Sequence, residues 1–182
     1  MIKWLMCFIF IWLSLVNALP LTEQDTKNLT QRKVRQHIVY ETYLETDKGL
    51  ASVFGYQFDT YFNDTQCFVL AISGAVGGER GGYGFAAFGL GQDIPLSDQW
   101  MMNIRGFIGS GGGGGLDAGG GFMLEGHIGI GYKITSNAMI ELNTGYLSYP
   151  TGTFNTMMIN AGVSFTEVHV FLPWDGDAFP TH

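Results

Sequence analysis

Several residues in this chain could do chemistry. Ser148 lies in Gly145-Tyr146-Leu147-Ser148-Tyr149-Pro150-Thr151-Gly152, and Glu125 and His127 stand two residues apart with Glu141 and Asn143 in the next segment. A serine hydroxyl is a weak nucleophile near neutral pH unless a base stands beside it. A carboxylate and an imidazole on one strand face suggest an acid/base or metal cluster, whereas the plainer reading is a polar interior. Metal ligation needs several His, Cys or carboxylate groups at a consistent spacing. His37, His127, His169 and His182 show none, so neither a metal nor a cofactor is expected. The run Gly111 to Gly115 is not followed by Gly-Lys-Ser/Thr and has no strand-then-helix context, which sets aside a phosphate loop and leaves a flexible external loop as the expectation. Asn28-Leu29-Thr30 and Asn63-Asp64-Thr65 match a glycosylation sequon, a motif short enough to arise often by chance.

The elements that must carry these residues are strands. Segments of about ten alternating residues recur along the chain, and a period of two is the strand signal. The alternation places strands at 35–46, 51–62, 66–77, 82–93, 99–110, 120–134, 137–149 and 154–166. In the sixth, Phe122, Leu124, Ile128, Ile130 and Tyr132 share one face while Met123, Glu125, His127 and Lys133 share the other. In the seventh, Ala138, Ile140, Leu142 and Tyr146 oppose Asn137, Glu141 and Asn143. After Phe165 the phase changes through Thr166 to Phe171, which suggests a bulge or a further short strand, and Pro173 should end any pairing. An even number of alternating strands suits a closed up-and-down barrel.

Composition bears on which way the barrel faces. Only 14% of residues are charged, against about 25% in an ordinary soluble domain. Residues 1–18, MIKWLMCFIFIWLSLVNA, have the layout of a cleaved secretory signal, and their apolar core is shorter than the roughly 20 residues a spanning helix needs. Removing them leaves Cys67 as the single cysteine, so no intramolecular disulfide is expected. Aromatics at strand ends, among them Phe62, Tyr83, Trp100, Tyr132, Tyr146 and Phe165, stand where interfacial girdles sit. Export, low charge and girdles together favour a membrane barrel over a soluble one. A net charge of −7 with scattered basic residues argues against nucleic acid as a partner. The polar residues 19–34 read as an N-terminal arm, 35–172 as the barrel and 173–182 as a loose tail.

Within residues 125–165, EGHIGIGYKITSNAMIELNTGYLSYPTG followed by INAGVSF resembles the C-terminal half of the lipid A deacylase (acyloxyacyl hydrolase) family of outer-membrane barrels. The resemblance implies a lipid-facing triad built on His, one intervening residue, then Ser and Asn, with an acid about one strand later. Ser148 matches the nucleophile, but Tyr146 stands at the His position, Tyr149 at the Asn position, and Asn160 in the region of the acid. The scaffold is kept without the triad.

The expectation is therefore an eight-stranded antiparallel up-and-down transmembrane β-barrel of a bacterial outer membrane, non-catalytic, structural or interaction-mediating through glycine-rich external loops. Its expected surroundings are outer-membrane lipid and lipopolysaccharide, with no nucleic acid and an unidentified protein partner left open. An eight-stranded interior is filled by side chains, which disfavours a porin. Glu125, Glu141, Arg105 and Lys133 are expected to form a buried ion and hydrogen-bond network inside it. One alternative is a divergent esterase using Ser148, with His127 as base if the strand parity differs. Another is a soluble periplasmic barrel that binds an apolar ligand.

Overall fold

The computed structural model describes residues 30–44, 50–78 and 81–171. Eight strands follow one another there: β1 (Thr30–Tyr43), β2 (Ala51–Tyr61), β3 (Gln66–Gly78), β4 (Gly84–Pro95), β5 (Trp100–Gly112), β6 (Phe122–Lys133), β7 (Ala138–Ser148) and β8 (Asn155–Phe171). Each pairs antiparallel with the next, and the sheet closes into a barrel in sequence order. Leu44 N donates to Met157 O at 2.8 Å near the β1/β8 seam. Closure removes sheet edges, so backbone groups are paired laterally without needing water. Arg32–His169 is one compact unit; outside it, the described residues Thr30, Gln31, Val170 and Phe171 are strand.

All eight expected strands are present, with two differences at the ends of the chain. β1 begins at Thr30, so the expected arm gives up 30–34 to the barrel: the β2 ladder reaches Val34, paired with Thr60, where β1 itself shows no apolar alternation. β8 runs unbroken to Phe171 instead of giving way to a separate strand, and the expected phase change appears as Glu167 and Val168 exposed in succession. The signal segment 1–18, the arm 19–29 and the tail 173–182 lie outside the described residues.

Short turns join β2 to β3, β4 to β5 and β6 to β7 at one end, each closed by a side-chain oxygen at its start. Asn63 Oδ1 accepts from Thr65 N and Gln66 N, Ser97 Oγ from Gln99 N and Trp100 N, and Thr135 Oγ1 from Asn137 N and Ala138 N. Such bonds from Asn, Ser and Thr imitate a backbone turn and fix hairpin register.

The two faces of the wall are opposite in character. Phe68, Leu70 and Ile72 on β3 are 58, 61 and 60% exposed, and Phe88, Leu90, Ile128, Ile130, Ile140 and Leu142 continue that apolar surface around the outside. Trp100 stacks edge-on to Tyr132, ring centroids 4.9 Å apart, at the short-turn end. The buried side carries the charged residues Arg35, His37, Asp59, Asp93, Arg105, Glu125 and His127, together with an apolar cluster that includes Val53, Val69, Met123 and Leu147. Apolar outside and polar inside is the arrangement of a transmembrane barrel. A soluble ligand-binding barrel needs the reverse, so the apolar-ligand alternative fails on the interior.

Glycine makes the crowded interior fit. A Cβ on Gly129 would stand 1.9 Å from Asn143 Oδ1 and 2.4 Å from Leu142 O, whereas one on Gly126, on the outer face, would meet only Arg105 O at an ordinary 3.9 Å. Gly129→Ala is accordingly expected to cost about 1–3 kcal/mol through overpacking, and Gly126→Ala to stay within about 0.5 kcal/mol of the parent. Urea unfolding in lipid vesicles, followed by electrophoretic mobility, measures both.

A charge-balanced lattice inside the barrel

Residues from β1, β2, β4, β5 and β7 meet in the barrel interior. Arg35 Nη1 donates to Asp93 Oδ2 at 2.7 Å, and Tyr61 Oη donates to the same oxygen. Arg105 Nη2 lies 2.9 Å from both Asp59 Oδ2 and Asp93 Oδ1. His37 Nε2 is 3.0 Å from Asp59 Oδ2 while its Nδ1 is 3.1 Å from Glu141 Oε2, an arrangement that suits a ring carrying both protons. Ser164 Oγ donates to Glu141 Oε1 at 2.9 Å, and Arg35 Nε donates to Thr166 Oγ1 at 3.1 Å. Two guanidiniums and one imidazolium thus face three carboxylates. Each ion has a partner of opposite sign, the condition under which buried charge is tolerated.

A second polar layer lies toward the long-loop end. His127 Nδ1 stands 3.5 Å from Glu125 Oε1, Glu41 is buried nearby, and Asn143 Nδ2 donates to Asn160 Oδ1 at 2.5 Å. Above it sits an aromatic plug. Tyr43 packs edge-on against Tyr83 and Phe154, Tyr149 tilts on Phe154, and the hydroxyls of Tyr83 and Tyr149 are 2.9 Å apart. Burial raises the pKa of both Tyr83 and Tyr149, so they remain neutral hydroxyls able to donate. His127 and Glu125 are therefore enclosed between lattice and plug. An imidazole and a carboxylate side by side could exchange a proton, but among the described residues both side chains are only 3% exposed.

Of the expected network, Arg105 and Glu141 are in the lattice, and Glu125 pairs with His127 in the layer above. Lys133 is not part of it: as the last residue of β6 it lies exposed at the short-turn end, beyond the interior. Arg35, His37, Asp59 and Asp93 were missed. Their signal was present, because each occupies the inward position of its strand's alternation, but the early strands are less regular than β6 and β7. Among the described residues no group of three His, Cys, Asp or Glu is placed to hold a metal.

The structure separates the residues of the hydrolase-like motif. Ser148 is on the outer-face parity of β7 beside Tyr146, which is 52% exposed, and its Oγ donates to Asn155 Oδ1 at 2.6 Å. His127, the alternative base, has the opposite parity and is buried inside the wall, as is Asn160. Parity along β6 and β7 is as the alternation indicates, so the barrel wall lies between Ser148 and that imidazole.

The glycine-rich connection between β5 and β6 is tied down where a flexible loop was expected. Asp117 O accepts from Thr153 N and Phe154 N, Asp117 Oδ2 accepts from Thr153 Oγ1 at 2.9 Å, and Gly120 N donates to Thr151 Oγ1 at 3.1 Å. Gly119 has φ +55°, and a Cβ there would stand 2.0 Å from Thr151 O, so the approach needs glycine. The glycines let the 113–121 loop lie against the 150–153 turn, and together they form one polar platform at the long-loop end.

No protein-family model matches the chain, and no curated protein matches it in sequence. Solved structures do resemble it. The N-terminal β-barrel domain of Pseudomonas aeruginosa OprF matches with TM-score 0.58 at 11% identity, covering 74% of this chain and 97% of its own. A de novo designed transmembrane β-barrel matches with TM-score 0.55 at 8% identity over 74% of this chain and 95% of its own. Ail, the attachment invasion locus protein of Yersinia pestis, matches with TM-score 0.50 at 11% identity over 75% and 98%. At these identities the likeness is one of fold.

Two predictions arise from the interior and the platform. His37→Ala leaves Asp59 and Glu141 without their shared partner and is expected to cost about 3–5 kcal/mol, with His37→Gln costing less, by urea midpoint in vesicles. Asp117→Ala is expected to loosen the 113–121 loop by about 1 kcal/mol, seen as roughly fivefold faster protease cleavage within it.

Proposed function

We propose that this chain is a small bacterial outer-membrane barrel, exported by an N-terminal signal, whose wall contacts lipid and whose interior is structural. It acts without catalysis, through the platform that its external loops present. The observation that carries this reading is the inversion of the wall, with an apolar exterior around a plugged interior whose central ions balance in charge. A filled interior supports neither a pore nor a ligand cavity. The long connections carry Asp117, Thr151 and Thr153, polar groups suited to contact outside the membrane. The likeness of the 125–165 segment to lipid A deacylases is read as shared scaffold: Ser148 bonds to an amide oxygen, and Tyr146 stands where the family has its base.

Two measurements test the reading. Fractionation should leave the protein in the fraction that needs detergent, with a mobility shift on boiling; recovery from the soluble periplasm would end the proposal. Mass spectrometry of lipid A should give the same acylation pattern with and without the gene. Loss of an acyl chain that depends on the gene and disappears in a Ser148→Ala strain would assign the esterase activity instead.

A further inference from the structure

Two carboxyl groups beneath the aromatic plug are buried in a different way from those of the lattice. Asp59, Asp93 and Glu141 each lie within 3.1 Å of a guanidinium or imidazole nitrogen. Glu41 and Glu125 are as deeply buried, but no guanidinium or ammonium among the described residues pairs with either. Glu125 is opposite Phe107 on β5 and Leu147 on β7, and Glu41 is opposite Val53 on β2, all three buried and apolar. The basic group nearby is His127, whose Nδ1 stands 3.5 Å from Glu125 Oε1, long against the roughly 2.7–2.9 Å of a charge-assisted bond. Arg105 is opposite His127 in the β5–β6 ladder and is already shared by Asp59 and Asp93, so it opposes a second positive charge on that imidazole. Glu41 faces Glu125 and His127 of β6, Tyr43 of its own strand and Asn160 of β8. Tyr83 and Tyr149 complete the layer on the plug side, and His37 and Glu141 on the lattice side.

Hydrogen bonding points the same way. Glu41 Oε1, Glu125 Oε2 and Asn143 Oδ1 are buried acceptors that no donor reaches among the described residues. Ionised carboxylates only accept, whereas two carboxylic acids would bring two O–H donors to a layer short of them. A buried carboxyl without a cation sheds its charge by holding a proton. We propose that Glu41 and Glu125 are carried as neutral acids, so that the layer beneath the plug stores two protons and ties the stability of the barrel to pH. In the unfolded chain both carboxyls ionise above about pH 4. The folded barrel keeps their protons, so its stability falls as pH rises from there until the layer itself ionises. Two protons held only by the folded state raise the unfolding constant about hundredfold per pH unit. Once both are lost, two like charges face each other under Tyr43, and the plug loosens.

Infrared spectroscopy of the full chain folded in vesicles tests this directly. At neutral pH the parent should show a carboxylic-acid carbonyl band. Glu41→Gln and Glu125→Gln should each diminish it and the double variant should abolish it, while Glu167→Gln, at an exposed carboxylate on β8, should leave it intact. Between about pH 5 and 6, below the range in which a free histidine titrates, the urea unfolding constant of the parent should rise steeply with pH. The double variant, with a neutral amide at each position, should lose about hundredfold of that rise per pH unit. Each single variant keeps one acid, so the band still reports if the double variant does not fold. An acid band absent from the parent, or undiminished in the variants of Glu41 and Glu125, overturns the proposal. So does a parent whose stability follows sodium or potassium concentration in place of pH, which would put a cation between two ionised carboxylates.

Discussion

An eight-stranded barrel has an interior only as wide as its own side chains. Every inward position is therefore limited by those across from it. Large polar residues fit only where a neighbouring strand offers a small one: Asn143 is accommodated because Gly129 has no Cβ, and Arg105 because Gly91 has none. Charges fit only where they cancel. His37 bridges Asp59 and Glu141, while Arg35 and Arg105 share Asp93, so the middle of the barrel holds ions at no net charge. The first requirement stems from the narrow bore, and the second from burial of the ions away from solvent.

The same closure explains the outside and the ends. With ladder bonds running around the barrel, the outer surface need supply only apolar side chains, which β3, β6 and β7 do with long exposed rows. At one end three hairpins close through Asn63, Ser97 and Thr135, using local bonds that add little bulk. The other end carries the longer connections. There glycine serves a different purpose, letting one loop approach another closely enough for Asp117 to hold Thr153. The likeness to OprF and Ail concerns the barrel alone.

Much of this was legible in the sequence. Strict alternation in 120–166 gave the last three strands, their faces and their turns, because side-chain direction in a strand depends only on parity. Parity also places Ser148 outside and His127 inside. The first strands were read less well: β1 begins in Thr30-Gln31-Arg32-Lys33, where no apolar alternation shows that a neighbouring strand completes the pairing. Lys133 shows the opposite error, since parity put it inward although its place at the end of β6 lets it reach solvent.

Alternation along the chain is enough to mark eight strands, the apolar face of the regular ones, and the need of inward charges for partners. Who those partners are is settled only on folding. His37 and Glu141 lie far apart in the chain, as do Arg35 and Asp93, and each pair meets only because the closed sheet turns both residues toward a common axis. Parity is a local property of the backbone. Pairing across a barrel depends on closure and register, which arise from all eight strands together.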